Sequence, residues 1–444
     1  MSTSPLQSAT AAEQSQAEAE QAQLGAAAGA PPGGWANPGP GFLALLAFAT
    51  LSAYMATLVP AVLTLSLKAS AVDAARATTV LSIVVGVASL FALVGYPALG
   101  RLSDRTASRL GRRRPFLLLG AALIAVGAVL TLLAGTTVTL TIAHIITTLG
   151  GTATVVAATS VIPDRWAPNR RGPASALVGL GAPLGALVGL FIAQAVSPNL
   201  SAMILLPAAV AVVGILGLAL VLRDRRLDPA DRPRFSLTDF FTTFWVNPLT
   251  NPNYAWAWWS RLLIYFGVAA VNAYQAFYLI IVQHVAPADV AGRIFLATLV
   301  LTGVSLVFAP AAARLSDRIG RRKPFVIASA VIFAIGLVIV ATVHSYGAFL
   351  VAIAVIGLGQ GIYFAVDLAL VTQVLPDPAT AAKDLGIMNL ANNLPSSIVP
   401  AVAPALLAIG ASAASPQNFS ALFLAGAGAG VLGALLIVPI RQVR

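Results

Sequence analysis

Arg101-Leu102-Ser103-Asp104-Arg105 returns as Arg314-Leu315-Ser316-Asp317-Arg318, 213 residues further along the chain. A second pair, Val161-Ile162-Pro163-Asp164 and Val374-Leu375-Pro376-Asp377, keeps the same offset. Two independent matches in one register read as an internal duplication rather than chance, each copy a structural unit. Both copies of the first motif lie between long apolar runs, so the unit consists of apolar segments joined by short charged turns. Parallel six-helix repeats related by an axis normal to a membrane are one known solution for such a duplication, with a cavity where the halves meet.

Composition supports a membrane setting. Of 444 residues, 58% are hydrophobic and 9% charged, more apolar than a soluble surface tolerates. With no water in the bilayer core, a spanning backbone must bond internally, which leaves helices or a closed barrel. Runs such as 116–134, 202–222 and 325–342 reach the roughly 20 residues a helix needs, whereas a barrel would show short alternating segments. The expected helices are α1 to α6 at 41–66, 76–99, 115–134, 137–162, 173–196 and 200–222, and α7 to α12 at 255–283, 291–312, 324–343, 347–375, 385–411 and 418–438. The expected fold is therefore an all-α membrane protein, twelve transmembrane helices as two six-helix repeats around a central cavity.

The net charge of +11 invites a nucleic-acid reading, but location argues against it. The loops after the even-numbered helices, with the C-terminus, hold 22 of the 26 Lys and Arg. Lys68, Arg76 and Arg293 lie on the other side, and Arg261 sits at a helix entrance. Such asymmetry is that of cytoplasmic loops and puts both termini in the cytoplasm. Lipid topology explains the charge, and no nucleic-acid partner is expected.

Residues 1–39 are rich in Ala, Gln, Ser, Gly and Pro with no Lys or Arg, which reads as a disordered cytoplasmic tail. No basic stretch precedes α1 as a secretory signal would require, so α1 is expected to stay as an anchor. Residues 40–222 form the first bundle, 223–254 a cytoplasmic linker, and 255–444 the second bundle. Phe240, Phe241, Phe244 and Trp245 in the linker suit a short interfacial helix, and Trp256, Trp258 and Trp259 an aromatic belt where α7 enters the bilayer. Without cysteine there is no thiol catalysis or cysteine metal site, and His144, His284 and His344 are scattered. No cofactor, metal or enzymatic activity is expected.

Gly100-Arg101-Leu102-Ser103-Asp104-Arg105 with Gly111-Arg112-Arg113-Arg114, and Arg314 to Arg318 with Gly320-Arg321-Arg322-Lys323, resemble the two signature loops of the major facilitator superfamily. An Asp at a helix end can accept from a neighbouring helix N-terminus and from Arg, a latch made in one conformation and broken in the other. Gly100, Asp104, Arg105, Arg112, Asp317, Arg318 and Arg321 are the gating candidates this resemblance implies; the bland alternative is topology charge plus a tight turn. Ala313 stands where the second copy usually has Gly. The first copy is four residues longer, and that form is similar to the sucrose/proton symporters and the wider glycoside/cation symporter group, as is Lys383 to Pro395 at the start of α11. The likeness implies a sugar or glycoside moved with a proton. The membrane-embedded acid of the plant carriers in α4 aligns with Thr148, so their proton site does not carry over.

No Glu occurs beyond the tail, and Asp367 is the one acid well inside an expected span. An intramembrane carboxylate is costly and is by default a functional hypothesis. Arg261, just inside the Trp belt, is its candidate counter-ion; snorkelling to headgroups is the alternative. A sugar site needs amides for hydroxyls and aromatic faces for ring C–H groups. α7 offers Asn272, Tyr274, Gln275 and Tyr278; α10 offers Gln360, Tyr363 and Asp367 at three- and four-residue spacing; α11 offers Asn389, Asn392 and Asn393. Interhelical hydrogen bonding would explain the same residues. Gly181, Gly185 and Gly189 form a small-residue ridge for close packing, and Pro395, Pro400 and Pro404 bend α11. The expectation is proton-coupled sugar or glycoside uptake through a bacterial plasma membrane. The alternative is proton-driven efflux of a drug or metabolite; Gly181-Ala182-Pro183-Leu184-Gly185 only partly matches the exporters' α5 motif.

Overall fold

The computed structural model describes residues 36–224, 250–374, 381–411 and 417–440; most of the expected tail, nearly all of the linker, and Pro376 with Asp377 lie outside them. Among the described residues, twelve helices are long and apolar enough to span a membrane. They are α1 Pro40–Val72, α2 Ala77–Arg105, α3 Arg114–Leu133, α4 Thr137–Arg165, α5 Pro168–Ala195, α6 Leu200–Val221, α7 Pro252–Ile281, α8 Pro287–Ile319, α9 Lys323–Thr342, α10 Tyr346–Gln373, α11 (its span Gly386–Ala408) and α12 Phe419–Ile437.

Two devices start most of the helices, and Pro287, which opens α8 at the end opposite the basic loops, shows that proline is not confined to one end. At the end carrying the basic loops, Pro40, Pro115, Pro252 and Pro324 stand in first turns, where a missing N–H costs nothing. At the opposite end, Thr136, Asn199, Ser345 and Asn418 each accept the N–H three residues on with their side-chain oxygen, satisfying a donor that the helix leaves orphaned.

The duplication is visible in the packing. α3–α4, α2–α4, α3–α6, α1–α6 and α1–α5 contacts recur as α9–α10, α8–α10, α9–α12, α7–α12 and α7–α11. Ser103 donates to the Arg112 carbonyl at 3.4 Å, and Ser316 donates to the Arg321 carbonyl at 3.4 Å. The ridge on α5 packs closely on α1: a Cβ on Gly185 would lie 2.5 Å from the Leu51 carbonyl oxygen, and one on Gly189 would lie 2.4 Å from the Val59 side chain at Cγ2.

Three spans are irregular. α1 carries a π segment, Pro60–Thr64; α5 has a break at Leu180; and α11 is two helices, Ala381–Asn393 and Pro395–Ala408, parted at Leu394. Leu394 itself keeps helical dihedrals, φ −52° and ψ −41°, and its N–H bonds the Leu390 carbonyl, so Pro395 interrupts the hydrogen-bond ladder of α11 by removing a donor rather than by turning the chain out of its helical path.

The halves meet along α2–α11 and α5–α8. Named contacts across this seam lie at the end opposite the basic loops. Ser82 and Tyr274 share a 2.7 Å hydrogen bond, Gln417 donates to Thr78 at 2.9 Å, and Ser197 donates to the Ala288 carbonyl at 2.9 Å. Phe191 and Phe295 stack with centroids 5.5 Å apart.

Candidate functional site

Arg261 on α7 and Asp367 on α10 form a buried ion pair through Nη2 and Oδ2. The residues are 8% and 6% exposed, so Arg261 does not snorkel. Asp367 lies six residues inside the end of its helix, a depth of about 9 Å. Tyr363, one turn away, stands beside both members of the pair. Tyr265, which no sequence signal singled out, meets the Tyr363 ring edge-on with centroids 6.0 Å apart. Behind these rings is a small crevice lined by Tyr265, Phe333, Gln360, Tyr363 and Phe364.

One stripe of α7 extends the site towards α11. The Tyr254 hydroxyl donates to the Asp384 carbonyl at 2.7 Å, and the Trp258 indole donates to the Ile387 carbonyl at 2.9 Å. Trp258 thus turns inward, away from the expected belt, while Trp256 and Trp259 are 39% and 51% exposed. Beside the α11 break, Asn392 donates to Asn389 Oδ1 at 3.4 Å and Asn393 to the Asn389 carbonyl at 3.0 Å; Asn389 and Asn393 are exposed.

The other sugar-site candidates are dispersed. Asn272 is exposed on the α7 stripe of Tyr265 and Val268, and Gln275 is buried. Tyr274 is spent on the seam with Ser82. The Tyr278 hydroxyl donates to the Val340 and Val343 carbonyls, its ring among Phe349, Phe419 and Phe423. Among the described residues no group of three or more His, Cys, Asp or Glu is placed to hold a metal ion.

The first signature loop is a charge network. Arg113 pairs with Asp104 at 2.7 Å and with Asp164 at 2.9 Å, and Arg112 pairs with Asp164 at 2.9 Å. Burial opposes the Arg113 charge, but the bond and charge of Asp164, then Asp104, outweigh it and raise its pKa above the ordinary arginine value. Asp224, just past α6, accepts the backbone N–H groups of Arg113 and Arg114, an anion at the start of α3. Gly111 makes room for it: φ is +98°, and a Cβ there would fall 2.4 Å from the Asp224 carboxylate. Gly100 packs on Val156, and Arg105 is half-buried. In the second loop Asp317 meets Arg322 at 3.4 Å, and Arg318 and Arg321 are exposed. Asp164 stood in plain view in the repeated Val-Ile-Pro-Asp motif; nothing in the sequence singled out Asp224.

A family described as Major Facilitator Superfamily matches residues 40–309 and 294–444. No curated protein matches the sequence. Among solved structures, a mutant of the nucleoside transporter NupG aligns with TM-score 0.69 at 14% identity, covering 90% of this chain and 100% of that one. A mutant of the peptide transporter POT with alafosfalin aligns at 0.66 and 17%, covering 89% and 92%. A bacterial homolog of the human lysosomal transporter Spinster, inward-facing and occupied, aligns at 0.60 and 14%, covering 89% and 94%. At these identities the likeness is one of fold.

Proposed function

The chain belongs to the major facilitator superfamily, and from that premise we propose that it carries a sugar or glycoside together with a proton by alternating access. Membership makes it a multi-pass membrane protein with a small-molecule substrate. The observation that carries the proton reading is the buried Arg261–Asp367 pair, with Tyr363 beside both. A carboxylate at membrane depth is tolerated when a cation faces it. It can carry a proton if that cation is released in another conformation, because a neighbouring positive charge favours the ionised form and burial without it favours the neutral one.

The sugar reading draws on the longer first loop and on the polar and aromatic groups around the pair. Gln360, Tyr363 and the asparagines of α11 supply donors, acceptors and ring faces; Tyr265 joins them, while Asn272 and Gln275 remain candidates on α7. In this reading 40–222 and 255–444 are the moving halves, 223–254 joins them, and the basic loops face the cytoplasm of a bacterial plasma membrane. Gly100, Asp104, Arg105, Arg112, Asp317, Arg318 and Arg321 act as gates at that face.

The test is alkalinisation outside de-energised cells or proteoliposomes on adding a disaccharide, with wild type beside Asp367→Asn. A signal lost in the variant supports sugar/proton symport through Asp367. Silence across a broad glycoside panel favours efflux of a drug or metabolite, and a signal that survives the substitution removes Asp367 as proton carrier.

A further inference from the structure

The stripe on α7 that holds α11 has an unfinished rung. Tyr254 and Trp258 bond the carbonyls of Asp384 and Ile387, and both helices run in the same direction from the basic-loop end. Residues 254, 258 and 261 share one face of α7, as 384, 387 and 391 share one face of α11. The next rung therefore sets Arg261 against Ala391.

Both groups on that rung are unsatisfied. In an unbroken helix the Ala391 carbonyl would accept the N–H of residue 395, but residue 395 is proline and has none. The backbone bonds that cross the break run from Leu394 to Leu390 and from Ser397 and Ile398 to Leu394. None reaches Ala391, which is wholly buried. Across from it, Arg261 Nε is buried without a partner. A buried donor and a buried acceptor left open on facing rungs are each costly, and each is what the other lacks.

We propose that the Ala391 carbonyl is the second docking place of the Arg261 guanidinium, taken up when Asp367 accepts a proton. The step rests on the reading of Asp367 as proton carrier. With Asp367 ionised, the charge pair holds the guanidinium towards α10. A proton from solution adds to the carboxylate, the pair loses its Coulomb attraction, and the still-charged Arg261 donates Nε–H to the strongest open acceptor nearby. The other groups facing the pair are Tyr254, Tyr265 and Tyr363, phenols that stay neutral around pH 7, and Asp384, buried at the start of α11 beside Tyr254. The rung lies at the break flanked by Asn389, Asn392 and Asn393, so docking connects protonation on α10 to the polar cluster on α11. Arg261 acts here as a positioning residue.

Trp258, one rung below, is a reporter that needs no substrate. In purified protein with the other five tryptophans replaced by Phe, its emission should shift as pH falls, and Asp367→Asn should hold the low-pH spectrum at every pH. Pro395→Ala supplies the missing N–H, fills the Ala391 carbonyl from within α11, and should abolish the shift while leaving Asp367 able to bind a proton. Pro395→Gly supplies the same N–H should the alanine variant fail to fold, and Pro404→Ala should leave the shift intact. A shift that survives in the Pro395 variants, or no shift in a protein whose proton binding depends on Asp367, overturns the docking proposal. A pH response unchanged by Asp367→Asn instead overturns the proton-carrier reading itself.

Discussion

Removing the charges of the Arg261–Asp367 pair one at a time and then together separates a structural ion pair from a proton site. The side chains are 10% and 9% exposed, so solvent screening does little to soften the loss of either. Taking one partner from a buried pair costs about 3–5 kcal/mol because the other charge is stranded, whereas replacing both with apolar groups of similar volume is often neutral or better. Arg261→Met keeps the packed stem and Asp367→Leu keeps the approximate volume. Each single variant should melt well below wild type in detergent, and the double variant should recover most of the difference, a coupling of about 3 kcal/mol or more in the cycle. Independent sites would instead add to within about 0.5 kcal/mol. Transport measured alongside gives the functional half of the test, with substrate-driven proton movement absent from all three variants. Additive losses would refute the pairing argument. A stable double variant that still moved protons with substrate would show that the pair serves structure alone.

Other expectations follow from single contacts. Gly185→Ala puts a methyl 2.5 Å from the Leu51 oxygen and should destabilise by about 1–3 kcal/mol through overpacking, read as a lower melting temperature; Gly179→Ala, with nothing within 4 Å, should be neutral or slightly stabilising. Ser82→Ala or Tyr274→Phe removes a buried 2.7 Å bond across the seam, worth about 0.5–1.5 kcal/mol. Each should move the population several-fold towards opening at that end, read as label distances on a pair of cysteines introduced into a chain that has none. Asp224→Ala strips two backbone N–H groups at the start of α3 of their acceptor and should cost about 1–3 kcal/mol in thermal melts, more than Asp317→Ala, whose carboxylate is 68% exposed.

The twelve spans were legible because bilayer burial makes every segment announce itself by length and hydropathy, and the duplication because charged turns survive between apolar runs. Asp367 and Arg261 were legible for the same reason: charge inside an apolar stretch has few explanations. Tyr274 and Tyr278 were not, since a tyrosine's partner is chosen by helices distant in sequence, one reaching Ser82 and the other the end of α9. The α11 break could be half read. Pro395 marks it, but three prolines in one span do not say which parts the helix, and the register of α7 on α11 exists only in three dimensions.

The two signature loops show what duplication keeps and what it lets drift. The serine-to-carbonyl bond is the same in both copies because it closes a turn between two helices and owes nothing to the rest of the molecule. The acid network is not the same. The four extra residues of the first copy bring Gly111 to a left-handed turn that admits Asp224, whereas the Gly320 turn, with φ +66°, has nothing within 4 Å of the place a methyl would take. Asp104, Arg112 and Arg113 then find Asp164 and Asp224, all in the first half. Their charges therefore brace one bundle internally while the named contacts between bundles lie at the far end. On the alternating-access reading proposed above, a loop whose acids are satisfied within one half can release the other at that end without leaving those acids unpaired. Buried polar atoms without a partner occur in both halves, Ser52, Thr64, Ser66 and Arg114 in the first and Arg261, Asn392 and Ser397 among those in the second; of these, Arg261 alone belongs to the membrane-buried ion pair.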